Sequence, residues 1–151
     1  MDIVELYWKP AVKLELDSRI PCYNIPEKQD IWDKAGCYQI YGDHPVYGRD
    51  SLLYIGITNT SFKVRFKKHL LDFIGYHVNL SVNFCLKDEI DLQGRALEEI
   101  EALLISSHMP ALNKEYLHTP IPTQNNLMIL NLSESGDLMP VISTALFNNS
   151  S

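Results

Sequence analysis

Apolar and polar positions along the chain predict a mixed α/β (α+β) fold in which strands and helices alternate. The clearest period of two runs from Val78 to Leu86 and predicts a half-buried strand. Two further strands are predicted at Gly36 to Tyr41 and Leu52 to Ile57, which are rich in β-branched and aromatic residues. The intervening Gly42 to Asp50 predicts that these two strands form an antiparallel pair joined by a long loop.

The first predicted helix follows Thr58 to Ser61, a turn that offers helix N-cap residues. Its helical period places Phe62, Phe66, Leu70 and Phe73 on one apolar stripe. Arg65 and His69 lie one turn apart along one edge of that stripe. A run of cations on a helix is usually a solvated face. Arg65 and His69 at the apolar border, however, suit the wall of a cleft.

The second predicted helix runs from Arg95 to His108 and is stopped by Pro110. Its apolar stripe consists of Ala96, Leu97, Ile100, Leu103 and Leu104. Glu99 and Glu101 border the stripe on opposite sides. A carboxylate in that position is costly unless it is paired, hydrogen-bonded or bound to a metal. A glutamate that swings into water is the ordinary alternative, and the helical wheel does not choose between the two residues.

The two ends of the chain extend this pattern. Ile3 to Trp8 and Ala11 to Leu16 predict an edge hairpin interrupted by a Lys-Pro pair, and Leu127 to Leu132 with Leu138 to Ser143 predict a second hairpin. We therefore predict one domain over residues 1–151, with an N-terminal arm (1–33), a core (34–114) and a C-terminal extension (115–151).

Composition adds limits on partners and compartment. The chain of 151 residues has 46% apolar and 21% charged residues and a formal net charge of -6, so the total charge does not suggest a nucleic-acid partner. Cys22, Cys37 and Cys85 lack paired spacing, which is typical of buried thiols in a reducing compartment. No apolar run approaches the roughly 20 residues that cross a bilayer. These features predict a cytoplasmic (intracellular) protein without a membrane partner.

Several of these residues form an ordered set: Gly36-Cys37-Tyr38, Tyr54-Ile55-Gly56, Arg65, His69, Glu101 and Asn113. From Gly36 to Asn113 the chain resembles the GIY-YIG nuclease superfamily, with cysteine at the middle of the first motif as a departure. The spacing of the family's glutamate helix, rather than the wheel, selects Glu101 over Glu99. The resemblance implies a small three-stranded antiparallel sheet flanked by helices.

The resemblance also implies a DNA endonuclease that uses one Mg²⁺ (or Mn²⁺) ion. Glu101 would be its only direct protein ligand. Tyr38 would be the general base and Tyr54 would orient water, although the reverse assignment stays open. Arg65 would bind the scissile phosphate, and His69 would position a tyrosine or the phosphate.

Other residues have supporting roles under the same interpretation. Lys63, Lys67 and Lys68 would contact DNA phosphates without reading sequence, and Gly56 and Asn113 would be structural residues near the site. Arg49, in the loop before the second strand, either contacts substrate or is plain surface.

Two further questions stay open at the sequence level. The first is whether the chain works as a homodimer or with a specificity-providing protein partner. The second is the alternative function, a non-catalytic or partner-directed nucleic-acid-binding or interaction module that keeps the nuclease fold. The net charge favours that alternative, whereas the complete set of site residues favours the enzyme.

Overall fold

A computed structural model describes residues 1–17, 22–24, 30–72, 78–115 and 126–145. Within these residues the fold is mixed α+β, as the sequence predicts, with two helices and two main sheets. The strands are β1 (Asp2–Trp8), β2 (Val12–Lys13), β3 (Glu15–Asp17), β4 (Cys22–Asn24), β5 (Gly36–His44), β6 (Gly48–Thr58), β7 (Ser81–Leu86), β8 (Leu127–Ser133) and β9 (Val141–Ser143). The helices are α1 (Phe62–Asp72) and α2 (Leu97–His108), and no described helix has the length and apolarity to cross a membrane.

The central sheet has four antiparallel strands in the order β2-β7-β5-β6, and not the three that the resemblance implies, because the two-residue β2 pairs with β7. The antiparallel pairing of β5 with β6 is as predicted, but the long loop is not. Pairing continues to His44 opposite Gly48, so only Pro45 to Tyr47 forms the turn. The interpretation as a loop was wrong because irregularities in register after Ile40 and Gly42 interrupt the alternation along the strand.

Helix α1 covers one face of this sheet. Phe62 and Phe66 of the predicted stripe are fully buried and pack with Trp32, whose ring centroid lies 5.2 Å from that of Phe66. The amide of Val64 donates to Ser61 Oγ at 3.3 Å, which fits the predicted N-cap region. The side chain of Leu70 and the whole of Phe73 lie outside the described residues.

Strand β7 departs from the half-buried strand predicted over Val78 to Leu86. The strand begins at Ser81, and Val82 to Cys85 are all buried, so both of its faces are covered. One face packs against the α1 layer, and the other packs against β1 and the core around α2. The period-two pattern was misleading because Asn83 is buried by donating hydrogen bonds to two carbonyl oxygens.

The second sheet joins the two ends of the chain and corrects the predicted N-terminal hairpin. Strand β1 pairs in parallel with β8, and β8 pairs antiparallel with β9, so the predicted C-terminal hairpin is present within a mixed sheet. The predicted partner of β1, Ala11 to Leu16, instead contributes β2 and part of β3. The hairpin prediction was wrong because the apolar pattern of a strand does not show which distant strand will pair with it.

Helix α2 lies between the two sheets. Leu97, Ile100, Leu103 and Leu104 of the predicted stripe are buried, whereas Ala96 precedes the helix and is exposed. The helix shares its core with Val4, Leu6 and Trp8 of β1 and with residues of β5, β6, β7, β8 and β9. Cys37 and Cys85 are free, buried and opposite each other in register within this core, as small apolar residues would be.

Candidate active site

The free edge of β6 determines where the candidate site lies. The amides of Ala111 and Leu112 donate to the carbonyl oxygens of Leu52 and Leu53 at 3.2 and 2.8 Å. Asn113 then bonds both backbone groups of Ile55, each at 2.9 Å. The segment after α2 therefore covers this edge up to Ile55. Beyond that point the edge opens into a cleft of about 450 Å³, lined by Ile57, Thr58, Asn59, Thr60, Val64, Arg65, Lys68, Glu98 and Glu101.

Glu101 enters this cleft from α2. Burial raises the pKa of its carboxyl group to about 7, while a hydrogen bond from the Ile57 amide and the nearby Arg65 cation act in the opposite direction. The carboxylate thus satisfies a backbone donor of the β6 edge and remains partly desolvated. A cation beside it would favour the ionised form.

Glu99, which the helical wheel did not distinguish from Glu101 as a candidate site residue, has a different role. Its Oε2 accepts a hydrogen bond from the Ala96 amide at 3.2 Å, and its Oε1 lies 3.8 Å from Arg95 Nη1. It therefore satisfies a backbone donor at the start of α2. The structure places Glu101, and not Glu99, in the cleft.

Two tyrosines and a histidine pack behind Arg65. The rings of Tyr38 and Tyr54 lie on the same side of the sheet and stack with centroids 6.2 Å apart. His69 is only 5% exposed, so it is not a surface residue. Its ring centroid lies 4.8 Å from that of Tyr54, and its Nε2 is 2.7 Å from the Tyr38 hydroxyl.

Arg65 links this aromatic group to the cleft. Burial is the largest cause that raises the pKa of Tyr38 well above its ordinary value, and the neighbouring Tyr54 adds to it. A hydrogen bond with Arg65 and its positive charge oppose that rise. Burial and Glu101 likewise raise the pKa of Tyr54, and Arg65 again opposes them. The guanidinium is therefore the cation to which both tyrosines and Glu101 respond.

Close contacts explain why glycine occupies one position in each of the two motifs. Gly56 lies opposite Tyr38 in the β5–β6 register, and a Cβ at Gly56 would overlap the Tyr38 hydroxyl. Gly36 has a φ of 149°, and a Cβ there would overlap the Cys85 carbonyl oxygen. Any larger residue at position 56 would displace the tyrosine from His69 and Arg65.

The predicted phosphate-binding cations are only partly brought together. Lys68 lines the cleft beside Arg65, whereas Lys63 and Lys67 are exposed on α1 outside its lining. Arg49 is exposed near the start of β6, and about eight residues at ~3.3 Å each separate it from the cleft at the strand's other end.

Four polar residues of the cleft were not identified as site residues from the sequence: Thr58, Asn59, Thr60 and Glu98. The Asn59 amide nitrogen donates to Glu98 Oε1 at 3.1 Å, and Lys87 Nζ donates to Asn59 Oδ1 at 3.0 Å. For Thr58, Asn59 and Thr60 the available signal was their position between a strand and a basic helix, which we interpreted only as a turn. No such signal marks Glu98.

The oxygen groups of the cleft suit a hydrated divalent cation. Mg²⁺ prefers oxygen ligands and keeps several waters, so one partly desolvated carboxylate in an open cleft suits a mostly hydrated ion. Glu101 supplies that carboxylate, and Glu98 adds negative charge in the same cleft. In the described ranges, no group of three or more His, Cys, Asp and Glu side chains forms a protein-only metal site.

Comparisons with protein-family models, with curated proteins and with solved structures find no match to this chain.

Proposed function

We propose that this protein is a metal-dependent endonuclease that hydrolyses DNA phosphodiester bonds with one Mg²⁺ (or Mn²⁺) ion. The observation that carries the proposal is the meeting of Arg65 from α1 and Glu101 from α2 in one cleft, with Tyr38 and His69 behind the arginine. The proposal is also supported by β5, β6 and β7, which would be the three core strands within the four-stranded sheet, and by the packing of α1 and α2 on opposite faces of these strands.

Glu101 would hold the cation, and the bound ion would offset negative charge that develops on the phosphate. Arg65 would bind a non-bridging phosphate oxygen, for which its forked donors and fixed charge are suited. Lys68 extends the positive side of the cleft along α1. The cleft thus has a cation-binding wall on α2 and a phosphate-binding wall on α1.

Tyr38 would act as a proton relay. Its full burial and raised pKa disfavour a standing phenolate. With Nε2 of His69 unprotonated, the Tyr38 hydroxyl donates to that nitrogen over 2.7 Å. Tyr38 can then accept a proton from the attacking water as it passes its own proton to His69. Tyr54 is less deeply buried and is the alternative proton acceptor.

The proposal is tested by incubating the protein with supercoiled, linear, branched and single-stranded DNA and with RNA, in Mg²⁺ or EDTA. Wild type should cut DNA in Mg²⁺ and not in EDTA. Glu101→Gln should lower the rate by about 100-fold or more, since it removes the charge that holds the cation.

Glu99→Gln is the matched control. It makes the same change on the same helix at a residue outside the cleft lining, and glutamine retains an acceptor for the Ala96 amide. Equal cleavage by wild type and Glu101→Gln would exclude the assigned mechanism. Loss of cleavage in both variants would indicate damage to α2 rather than to a metal site.

A second candidate function is a nucleic-acid-binding or interaction module without turnover. The enclosed Tyr38 favours it, because a buried hydroxyl is poorly placed to reach an attacking water. This module would bind DNA through Arg65 and Lys68 in EDTA and in Mg²⁺ alike and would cut no substrate, an outcome that the same set of assays distinguishes.

A further inference from the structure

Strand β1 has one edge that is unpaired along Ile3 and Glu5, whereas just beyond its end the Lys9 amide donates to the Phe84 carbonyl of β7 at 2.7 Å. The Asp2 amide donates to the Asn126 carbonyl at 3.1 Å, and the Glu134 amide donates to the Trp8 carbonyl at 3.3 Å. In a parallel ladder this register directs the backbone groups of every second residue toward β8. The groups of Ile3 and Glu5 therefore point to the other side. Across the described ranges, no strand pairs with β1 on that side.

A groove runs along this edge. Asp2 forms an ion pair with Arg95 at 2.9 Å at one end, and Lys9 forms an ion pair with Glu89 at 2.6 Å at the other. The segment 89–95 therefore passes β1 in the antiparallel direction, with a space of about 370 Å³ between them. The groove is lined by Ile3, Glu5, Tyr7, Glu89, Asp91 and Gln93.

The groove is both apolar and acidic. Ile3 is 48% exposed and Tyr7 is 42% exposed, and the two flank Glu5 on the same strand face. Glu5 and Asp91 are exposed acids on the two walls, and Glu89 is partly offset by Lys9. The Tyr7 hydroxyl donates to Glu5 Oε2 at 2.5 Å. A ligand of matching chemistry is cationic and carries apolar side chains between its charges.

We infer that this groove binds an extended basic segment of a partner protein, which pairs with β1 as an added strand. Its backbone would bond the outward-facing groups of Ile3 and Glu5. Its alternate Lys or Arg residues would face Glu5 and Asp91. The groove and the cleft share no lining residue, so the inference does not depend on nuclease activity.

Charge selects this occupant over a second copy of the chain. A second copy would bring its own β1, and with it a second Glu5, to a groove that Glu5 and Asp91 already line. Like charges brought together across a strand pair destabilise it. A nucleic acid is disfavoured for the same reason, since the groove walls are acidic.

The test uses the full chain and a labelled, end-capped hexapeptide of alternating Lys and Val. Fluorescence anisotropy measures binding, and amide exchange at Ile3 and Glu5 locates it. A hexapeptide of alternating Glu and Val is the charge control. We expect the Lys-Val peptide to bind with slowed exchange at Ile3 and Glu5, and the Glu-Val peptide not to bind.

Two variants separate pairing from charge. Ile3→Pro removes an outward amide without removing a bond to β8, and Ile3→Val is its matched control. Glu5→Lys reverses a charge in the groove, and Asp33→Lys reverses an exposed charge outside the groove lining. Ile3→Pro and Glu5→Lys should each weaken peptide binding by at least about tenfold, and neither control should do so.

Equal melting temperatures would establish that the variants remain folded. The inference is overturned if the Lys-Val peptide does not bind, or if it binds equally to wild type, Ile3→Pro and Glu5→Lys. It is also overturned if wild type self-associates in sedimentation and Ile3→Pro abolishes this, because the occupant would then be a second copy.

Discussion

The interface between the two sheets and the candidate cleft both bury polar side chains, but they satisfy them with different partners. At the sheet interface, Gln39 donates to the Ser135 carbonyl at 3.1 Å, and Asn131 accepts from Trp8 Nε1 at 3.0 Å and donates to the Met139 carbonyl at 2.8 Å. Beside the cleft, the buried or half-buried polar groups include four titratable side chains that respond to or contact one another: Tyr38, Tyr54, His69 and Glu101.

Buried polar side chains therefore have two different roles in this fold, in docking and in site chemistry. Neutral amides with complete partners fix how two elements dock and have no pH dependence of their own. Titratable groups held away from their ordinary pKa, next to a cation and an open cleft, indicate a site for chemistry. The cleft is therefore the region where substitutions should change activity more than stability.

The largest difference is expected between two buried tyrosines on β5. Tyr38→Phe keeps the ring over Gly56 and removes the hydroxyl that reaches His69, so DNA cleavage should fall by about 100-fold to 10,000-fold. Tyr41→Phe is the matched control at the sheet interface, where the hydroxyl donates to Gln39 and accepts from the Asp137 amide. It should cost about 1 kcal/mol of unfolding free energy and leave cleavage unchanged.

Cleavage rates and urea unfolding of both variants measure this contrast. A Tyr38→Phe enzyme with wild-type cleavage would assign the proton transfer to another group, with Tyr54 the first candidate. A Tyr41→Phe enzyme that loses cleavage would show that the two regions are coupled.

The elements closest to the site could be predicted from the sequence, because local signals define them. The signals are the β-branched and aromatic content of β5 and β6, the Ser61 region before α1 and the apolar stripe of α2, and each depends on residues close together in the chain. Glu101 required the family spacing, since a helical wheel does not show which border of a stripe faces an edge strand.

The remaining features depend on contacts between distant parts of the chain. The parallel pairing of β1 with β8 is fixed by shared burial of Leu6 and Ile129 rather than by a turn. The burial of His69 requires both Tyr38 and Tyr54 to be placed first. Neither arrangement leaves a signal in its own segment of sequence.

The next contrast concerns how the free energy of unfolding depends on pH. The pKa of Glu101 is raised from 4.5 to about 7, so its contribution to stability is complete below about pH 4.5 and is lost as the pH rises through about 7. Glu101→Gln removes this cost of ionisation. We expect it to be more stable than wild type at pH 8.5 by about 2 kcal/mol and equal to it at pH 4, after allowance for partial exposure.

Urea unfolding at the two pH values measures this difference. Mg²⁺ at pH 8.5 should raise the melting temperature of wild type and not that of Glu101→Gln, because only the carboxylate binds the ion in the folded state. A variant that is less stable than wild type at pH 8.5 would mean that Glu101 is stabilised by its partners as an anion.

The smallest effect is expected from His108, which joins α2 to the segment between β8 and β9. Its Nε2 accepts from the Met139 amide at 2.8 Å, and its Nδ1 lies 2.8 Å from the Leu104 carbonyl, which requires a neutral ring with the proton on Nδ1. Burial lowers the pKa of His108 below 6.5. Its contribution is therefore present above about pH 6.5 and is lost as the pH falls, the opposite sign to Glu101.

His108→Gln retains an acceptor for Met139 and cannot gain a proton. The difference in unfolding free energy, wild type minus variant, should decrease by about 1 kcal/mol or less from pH 7.5 to pH 5. An unchanged or increasing difference would contradict the neutral ring. In the predicted case, the two regions respond to pH in opposite directions: acid weakens the contact between α2 and the second sheet, whereas alkali weakens the folded cleft unless a cation is bound.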